Sequence, residues 1–263
     1  MKPLAKIFAI QFLLLCLSSG CFGQTRRTAA LGPTPILVEL FTSEGCSSCP
    51  PVDKFVQQLD ASQPVPGAQL IVLSEHVDYF NHEGWTDPYS SRWVTDRQFG
   101  YVHLLRLDNA YTPQIIVDGT SVLHLDDPHQ MKQVFQKATL TPTIPIHLDS
   151  VSNDAKDQNV LQLHVGIDGA PEKRNVGIYL AVALDHATSQ VLHGENGGQS
   201  LTHVAVLQSL KKVGQLRRGD TFNQDITVKL KRRTDPRNIR IVVFLQEDGP
   251  GRVLGAAMTK LAH

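Results

Sequence analysis

The sequence predicts an α/β domain followed by an all-β, sandwich-like domain. Three observations predict it. Up to about Leu140, strand-like and helix-like runs alternate. After Thr141-Pro142-Thr143-Ile144-Pro145, short runs of alternating apolar and polar residues are separated by clusters of Gly, Asp and Asn. Between the first strand and the first helix stands Cys46-Ser47-Ser48-Cys49.

The elements follow in chain order. Met1 to Lys6 is a short basic region, Ile7 to Leu17 an apolar run, and Ser18 to Gly23 a stretch of mostly small residues, so 1–23 reads as a signal peptide. Lipidation of Cys21 is the alternative, although Ser18 stands where such signals usually carry Leu. Export places the protein in a bacterial periplasm or outside the cell, where disulfides persist. Residues 24–32 are a polar lead-in, and no later segment is long and apolar enough to span a membrane. About 240 residues remain, which suits two small domains or one large one.

In the first domain, 33–140, Ile36–Phe41 is a buried strand and Cys46–Asp60 a helix that tolerates Pro50 and Pro51 only in its first turn. Gln69–Glu75 is a second strand, Tyr89–Arg106 is largely helical, and Gln114–Asp118 is a third strand turned by Gly119-Thr120 into Ser121–Leu125. Asp127 caps a helix running from Pro128 to Ala138. In the second domain, 143–263, strands are expected at 144–148, 160–167, 175–184, 221–230, 239–246 and 253–258, with one helix over Leu201–Val213.

The chemistry centres on the cysteines. A C-x-x-C closing a strand-to-helix turn places a thiol where backbone N–H groups and the helix dipole favour a thiolate. This points to thiol–disulfide chemistry on a thioredoxin-like fold, with protein thiols or a redox partner protein as the other reactant and no cofactor beyond the Cys46/Cys49 pair. Cys46, nearer the helix start, is the expected attacking thiolate, and Cys49 resolves the mixed disulfide. Glu44 would raise the thiol pKa if it points inward. Two other readings stand beside this one. A disulfide that only clips the turn is one; an extracytoplasmic binding protein or copper metallochaperone using both cysteines and a histidine such as His76 is the other. Of the four cysteines, Cys16 and Cys21 lie in the signal region, and the 11 histidines show no finger-like spacing, so no metal site is assigned. A formal net charge of zero gives no electrostatic case for nucleic acid.

Thr112-Pro113 precedes the third strand. A cis bond there would present the Thr112 backbone to the sulfurs and to an extended substrate. The N-terminal pattern resembles the thioredoxin superfamily. More closely, Glu39 to Pro51 is similar to a bacterial secreted thioredoxin-fold family catalogued as domain of unknown function 1223. So are His76-Val77-Asp78-Tyr79, Gly84 to Ser91, Arg97-Gln98, Tyr111 to Gln114, Gly194-Glu195-Asn196 and Leu201-Thr202. The resemblance implies a thioredoxin-like fold and no settled reaction. Ser47-Ser48 replaces the Gly-Pro type pair of ordinary thioredoxins. Glu39 resembles their buried proton-handling acid but lies one residue farther from Cys46 than usual. Tyr79 to Gly100 reads as an insertion over the site.

Two polar clusters complete the candidates. His76, Asp78, His82, Glu83, Trp85 and Asp87 could line a substrate groove, with Trp85 and Trp93 expected mainly as core. The loop His193 to Gly198 reads as a turn before the 201–213 helix, whose N-terminus could hold an anion. A trio of His186, His193 and His203 is a further metal-binding arrangement to be weighed there.

Overall fold

The computed structural model describes residues 32–153, 159–169, 175–231 and 234–260, without the side chains of 150–153. The signal-peptide, lead-in and Cys21 expectations lie outside the described residues. No described helix is long and apolar enough to cross a membrane.

The elements are β1 (Thr34–Thr42), α1 (Pro50–Ser62), β2 (Ala68–His76), α2 (Arg92–Leu105), β3 (Gln114–Val117), β4 (Ser121–Leu123) and α3 (Pro128–Leu140). Then follow β5 (Ile146–Asn153), β6 (Val160–Ile167), β7 (Val176–Gln190), β8 (Ser200–Leu216), β9 (Phe222–Lys229), β10 (Ile239–Glu247) and β11 (Val253–Lys260). They form an eight-stranded mixed sheet in the order β11-β10-β7-β8-β2-β1-β3-β4 and a three-stranded sheet in the order β5-β6-β9.

β1 is a run of apolar residues because both its faces are covered. Ile36, Val38 and Leu40 pack under α1 and α3 with Leu70, Val72, Ile115 and Val117. On the opposite face, Leu37 meets Leu73, Ala181, Val242 and Phe244. α1 begins at Pro50, four residues later than expected, with Cys49 as its N-cap and both prolines in its first turn. α3 follows the sequence expectation closely. Asp127 accepts the N–H groups of His129 and Gln130 at 3.0 and 2.9 Å, and Pro128 occupies the first turn.

The second half also contains sandwich-type packing. Leu161, Leu163, Val165 and Ile167 of β6 face Ile178, Leu180, Ile241 and Val243 across a shared core. The expectation of a separate second domain needs correction, however. The layer beneath the three-stranded sheet is a continuation of the first-half sheet, joined where β8 runs parallel to β2 at Ser74 and Val206. The described residues from Gly32 onward form one compact unit.

The expected helix at 201–213 is strand β8, paired antiparallel with β7 along its length. Two register shifts place extra residues on β8, one between Leu207 and Ser209 and one between Lys212 and Gly214. Each interrupts the period-two alternation. The result spaces Leu207, Leu210 and Val213 three apart, which mimics a helix face. β7 and β8 thus form a long hairpin whose tip, residues 191–199, returns to the first half of the chain.

Candidate functional site around the Cys46–Cys49 disulfide

Cys46 and Cys49 are joined in a disulfide with Cα atoms 5.4 Å apart. The loop bearing it leaves the end of β1 as successive turns. Cys46 N–H donates to the Ser43 carbonyl and Cys49 N–H to the Cys46 carbonyl, both at 3.2 Å. The Cys49 carbonyl accepts from Val52 and Asp53 as α1 starts. Ser47 and Ser48 are exposed. The cysteines are not: Cys46 is 2% exposed and Cys49 0%, so exposure hardly distinguishes the two.

The Thr112–Pro113 peptide is cis. β3 runs antiparallel to β1 with Gln114 opposite Phe41. Thr112 and Pro113, just before Gln114, therefore lie beside the end of β1 from which the dithiol loop departs. Gln114 is held in turn by Gln98, whose Nε2 donates to Gln114 Oε1 at 3.0 Å and to the Tyr111 carbonyl at 2.9 Å.

A buried polar network lies around Glu44. Trp85 Nε1 donates to Glu44 Oε2 at 2.8 Å, and the Glu44 N–H donates to Asp87 Oδ2 at 2.9 Å. His203, from β8, stands between Glu44 Oε1 at 3.3 Å and Asp53 Oδ1 at 3.5 Å. These contacts are ion pairs and lack hydrogen-bond alignment. Thr42 Oγ1 donates to the other Asp53 oxygen at 3.1 Å. Burial works against a charged His203, but Asp53 and Glu44 outweigh it and hold its pKa at about 9. His76 joins the network through Nδ1, 2.7 Å from Asp87 Oδ2, and its ring meets that of His203 edge-on at 4.8 Å. Burial opposes ionisation of Asp87. His76 and the N–H groups of Glu44 and Tyr89 overcome it and lower the carboxyl's pKa.

The hairpin tip covers this loop from the other side. Asn196, 2% exposed, donates from Nδ2 to the carbonyls of Glu44 at 2.9 Å and Cys46 at 3.0 Å. Glu195 Oε2 accepts the Ser47 N–H at 2.9 Å, and the Ser47 side chain together with that N–H lowers its pKa. Gly194 adopts φ +77, and a Cβ there would sit 3.1 Å from the Glu83 carbonyl oxygen and 3.2 Å from Trp85 Cβ, so the tip packs closely on the 83–85 segment.

The structure thus brings together Cys46, Cys49, Glu44, His76, Trp85 and Asp87. Asp78 stands apart, fastening its loop to α2: its N–H donates to Thr95 Oγ1 at 3.0 Å, and its Oδ1 accepts from the same hydroxyl at 2.6 Å. Glu39 is buried, but its hydrogen bonds run to Arg97 and Tyr101 on α2. The extra residue of spacing explains this. Residues 36, 38 and 40 face α1, so 39 faces the other way. There Arg97 also lies 3.6 Å from Glu75, and Gln246 donates to the Tyr101 hydroxyl at 2.8 Å. Burial, reinforced by Glu39, raises the Glu75 carboxyl well above its usual range.

Other candidates resolve differently. With no helix at 201–213, the 193–198 loop has no helix N-terminus to offer an anion. Of His186, His193 and His203, only His203 is buried, and the other two are exposed. Trp93 is 38% exposed instead of core. Among the described residues, no group of three or more His, Cys, Asp or Glu side chains is arranged to hold a metal ion. Asp53 escaped the sequence reading, although a lone acid in register with Val56 and Leu59 on the buried face of α1 was a usable signal.

The sequence pattern of a family described as "Protein of unknown function (DUF1223)" matches residues 37–246. The match spans the dithiol, the cis-proline and the hairpin tip. No curated protein matches the chain. A crystal structure of a protein from Agrobacterium tumefaciens, a structural genomics target, is 23% identical. The alignment covers 89% of this chain and 100% of that one with a TM-score of 0.66, a likeness of fold. A domain of the outer membrane lipoprotein Omp28 from Porphyromonas gingivalis is 14% identical over 46% of this chain and 91% of its own. Its TM-score of 0.28 carries no structural argument.

Proposed function

We propose, from the premise that this chain belongs to the DUF1223 family, that it is an exported thiol–disulfide exchange protein built around a thioredoxin-like first half. The observation that carries the reading is a disulfide-bonded C-x-x-C at the start of α1, at the sheet end that also holds a cis Thr112–Pro113 bond. A strand, a dithiol turn, a helix and a cis-proline at one sheet end support that reading. The redox equivalents reside in the cysteines themselves, so the chemistry needs no other cofactor.

In the reducing direction, the Cys46 thiolate attacks one sulfur of a partner disulfide. The S–S bond breaks, the first partner sulfur leaves as a thiolate and takes a proton, and a mixed disulfide forms. Cys49, deprotonated, then attacks Cys46 Sγ and releases the second partner thiol. The partner gains two electrons and two protons while Cys46–Cys49 is oxidised. The oxidising direction is the reverse. A protein partner meets Ser47 and Ser48 first, and the hairpin tip must lift for it to reach the sulfurs.

The test is the reduction potential of the pair in the mature protein against a glutathione series, with Cys46→Ser as control. A value between about −120 and −270 mV supports exchange and gives its direction. A value below about −300 mV makes the disulfide a structural clip and ends the exchange reading.

A further inference from the structure

The tip of the β7–β8 hairpin contacts the dithiol loop through its backbone, and the kind of group it places there matters. Thiolates beside a helix start are stabilised by unpaired N–H groups and by the positive end of the helix dipole. Around Cys46 the Ser48 hydroxyl, 3.4 Å from Cys46 Sγ, is one further donor, and most of the loop's backbone N–H groups are already engaged. The Cys46 and Cys49 N–H groups are engaged in turns, and Pro50 and Pro51 have none. The Val52 and Asp53 N–H groups both point to the Cys49 carbonyl. The Ser47 N–H, next to the attacking cysteine, is taken by the Glu195 carboxylate at 2.9 Å. A full negative charge therefore occupies a donor that could otherwise serve the Cys46 thiolate, while the other titratable groups packed about the loop, Glu44, Asp53, His76, Asp87 and His203, are common to every variant compared below. Asn196 holds the carbonyls on either side of Gly45 and so fixes the loop against the tip.

We infer that Glu195 is a positioning residue that holds the Cys46 thiol protonated and unreactive while the hairpin tip is closed, and that Asn196 is the latch that keeps it closed. The inference rests on the exchange reading for its purpose. Lifting the tip would remove the carboxylate and uncover the sulfur in a single motion, so a partner that displaces 191–199 would activate the thiol it is about to meet. Reactivity would then be coupled to docking, and the second half of the chain would supply the control.

The experiment is the pH dependence of iodoacetamide alkylation of the reduced full mature protein, read at Cys46 in a Cys49→Ser background. E195Q keeps an oxygen that can accept the Ser47 N–H and removes only the charge. It should lower the midpoint of the pH profile, raising the rate below the midpoint roughly two- to fivefold, while the high-pH plateau stays unchanged. N196A should raise the plateau, because it exposes the sulfur. E83Q removes a neighbouring exposed charge that does not contact the loop backbone and should leave the profile unchanged. The proposal is overturned if E195Q leaves the midpoint in place, if E83Q moves it equally, or if N196A leaves the plateau unchanged. Since alkylation does not depend on the reduction potential, the exchange reading can fail without deciding this test, and the reverse also holds.

Discussion

Replacing His203 with Gln tests whether the buried network around the disulfide is held by charge. His203 is 3% exposed, lies between Glu44 and Asp53, and has its pKa raised from the usual 6.5 to about 9. The folded protein therefore binds this proton more tightly than the unfolded chain. The resulting stability is complete below pH 6.5 and disappears as pH rises through about 9. At ~1.4 kcal/mol per pH unit, the contribution is roughly 3 kcal/mol. The assay is urea unfolding of the oxidised protein and of H203Q at pH 6, 7.5 and 9.5. With a urea dependence near 3 kcal/mol per molar, H203Q should unfold about 1 M earlier at pH 6. That gap should narrow at pH 7.5 and nearly close at pH 9.5. Comparing the two proteins at each pH cancels groups that titrate in both, Asp118 among them. A gap of the same size at pH 6 and pH 9.5 would refute the reasoning, since the loss would then come from packing and not from the imidazolium.

Other substitutions probe the surrounding frame. Burial, with Glu39 nearby, outweighs the Leu37 N–H and raises Asp118 from 3.8 to about 7, so the native protein loses stability as pH rises through that range. D118N, which can still accept the Leu37 N–H, should be more stable than wild type at pH 8 by up to about 4 kcal/mol in urea unfolding, and no more stable near pH 4. R97M leaves Glu39 and Glu75 buried without their cation. It should cost about 3–5 kcal/mol, read as a lowered Tm at neutral pH, with partial recovery when E39Q is added. G119A combines φ +65 with a Cβ 2.2 Å from the Gly251 carbonyl oxygen. The β3–β4 turn must shift to admit it, and thermal unfolding should show a loss of at least 1–3 kcal/mol.

Legibility in the sequence tracked the locality of the cause. β1, β2 and α3 were readable because a buried apolar run or an Asp-Pro cap acts within a few residues. The cysteine pair and Pro113 were readable because their chemistry is carried by residue type. Glu39 shows where local reading stops. Its identity suggested proton handling, but one residue of parity on β1 turned it toward Arg97 and Tyr101. β8 failed for a different reason, since two bulges in a long strand erase the alternation by which strands are recognised. That error concealed the role of His203, which alternates with Leu201 and Ala205 on the buried side of β8. Once those residues are read as a strand, a histidine at an apolar position is conspicuous. Its partners, Glu44 and Asp53, lie about 150 residues earlier, and no sequence window reaches them.

The β7–β8 hairpin links the chemistry of the first half to the core of the second. Its base pairs with β10 and packs under β6, its middle pairs with β2, and its tip holds the dithiol loop. Arg240, fully buried, adds a second tie by gripping Asp60 of α1 at 2.8 Å and Asp185 of β7 at 2.5 Å. The first half therefore cannot be cut away at residue 140 without stripping His203, Glu195 and Asn196 from the site and the Arg240 tie from α1. Linkage makes the connection reciprocal. If the closed tip favours the disulfide over the dithiol by some free energy, reduction must loosen the tip by the same amount. A hairpin rooted in the sandwich-type core and resting on the disulfide loop by three hydrogen bonds is suited to that coupling. The root resists deformation, and the tip has little to break.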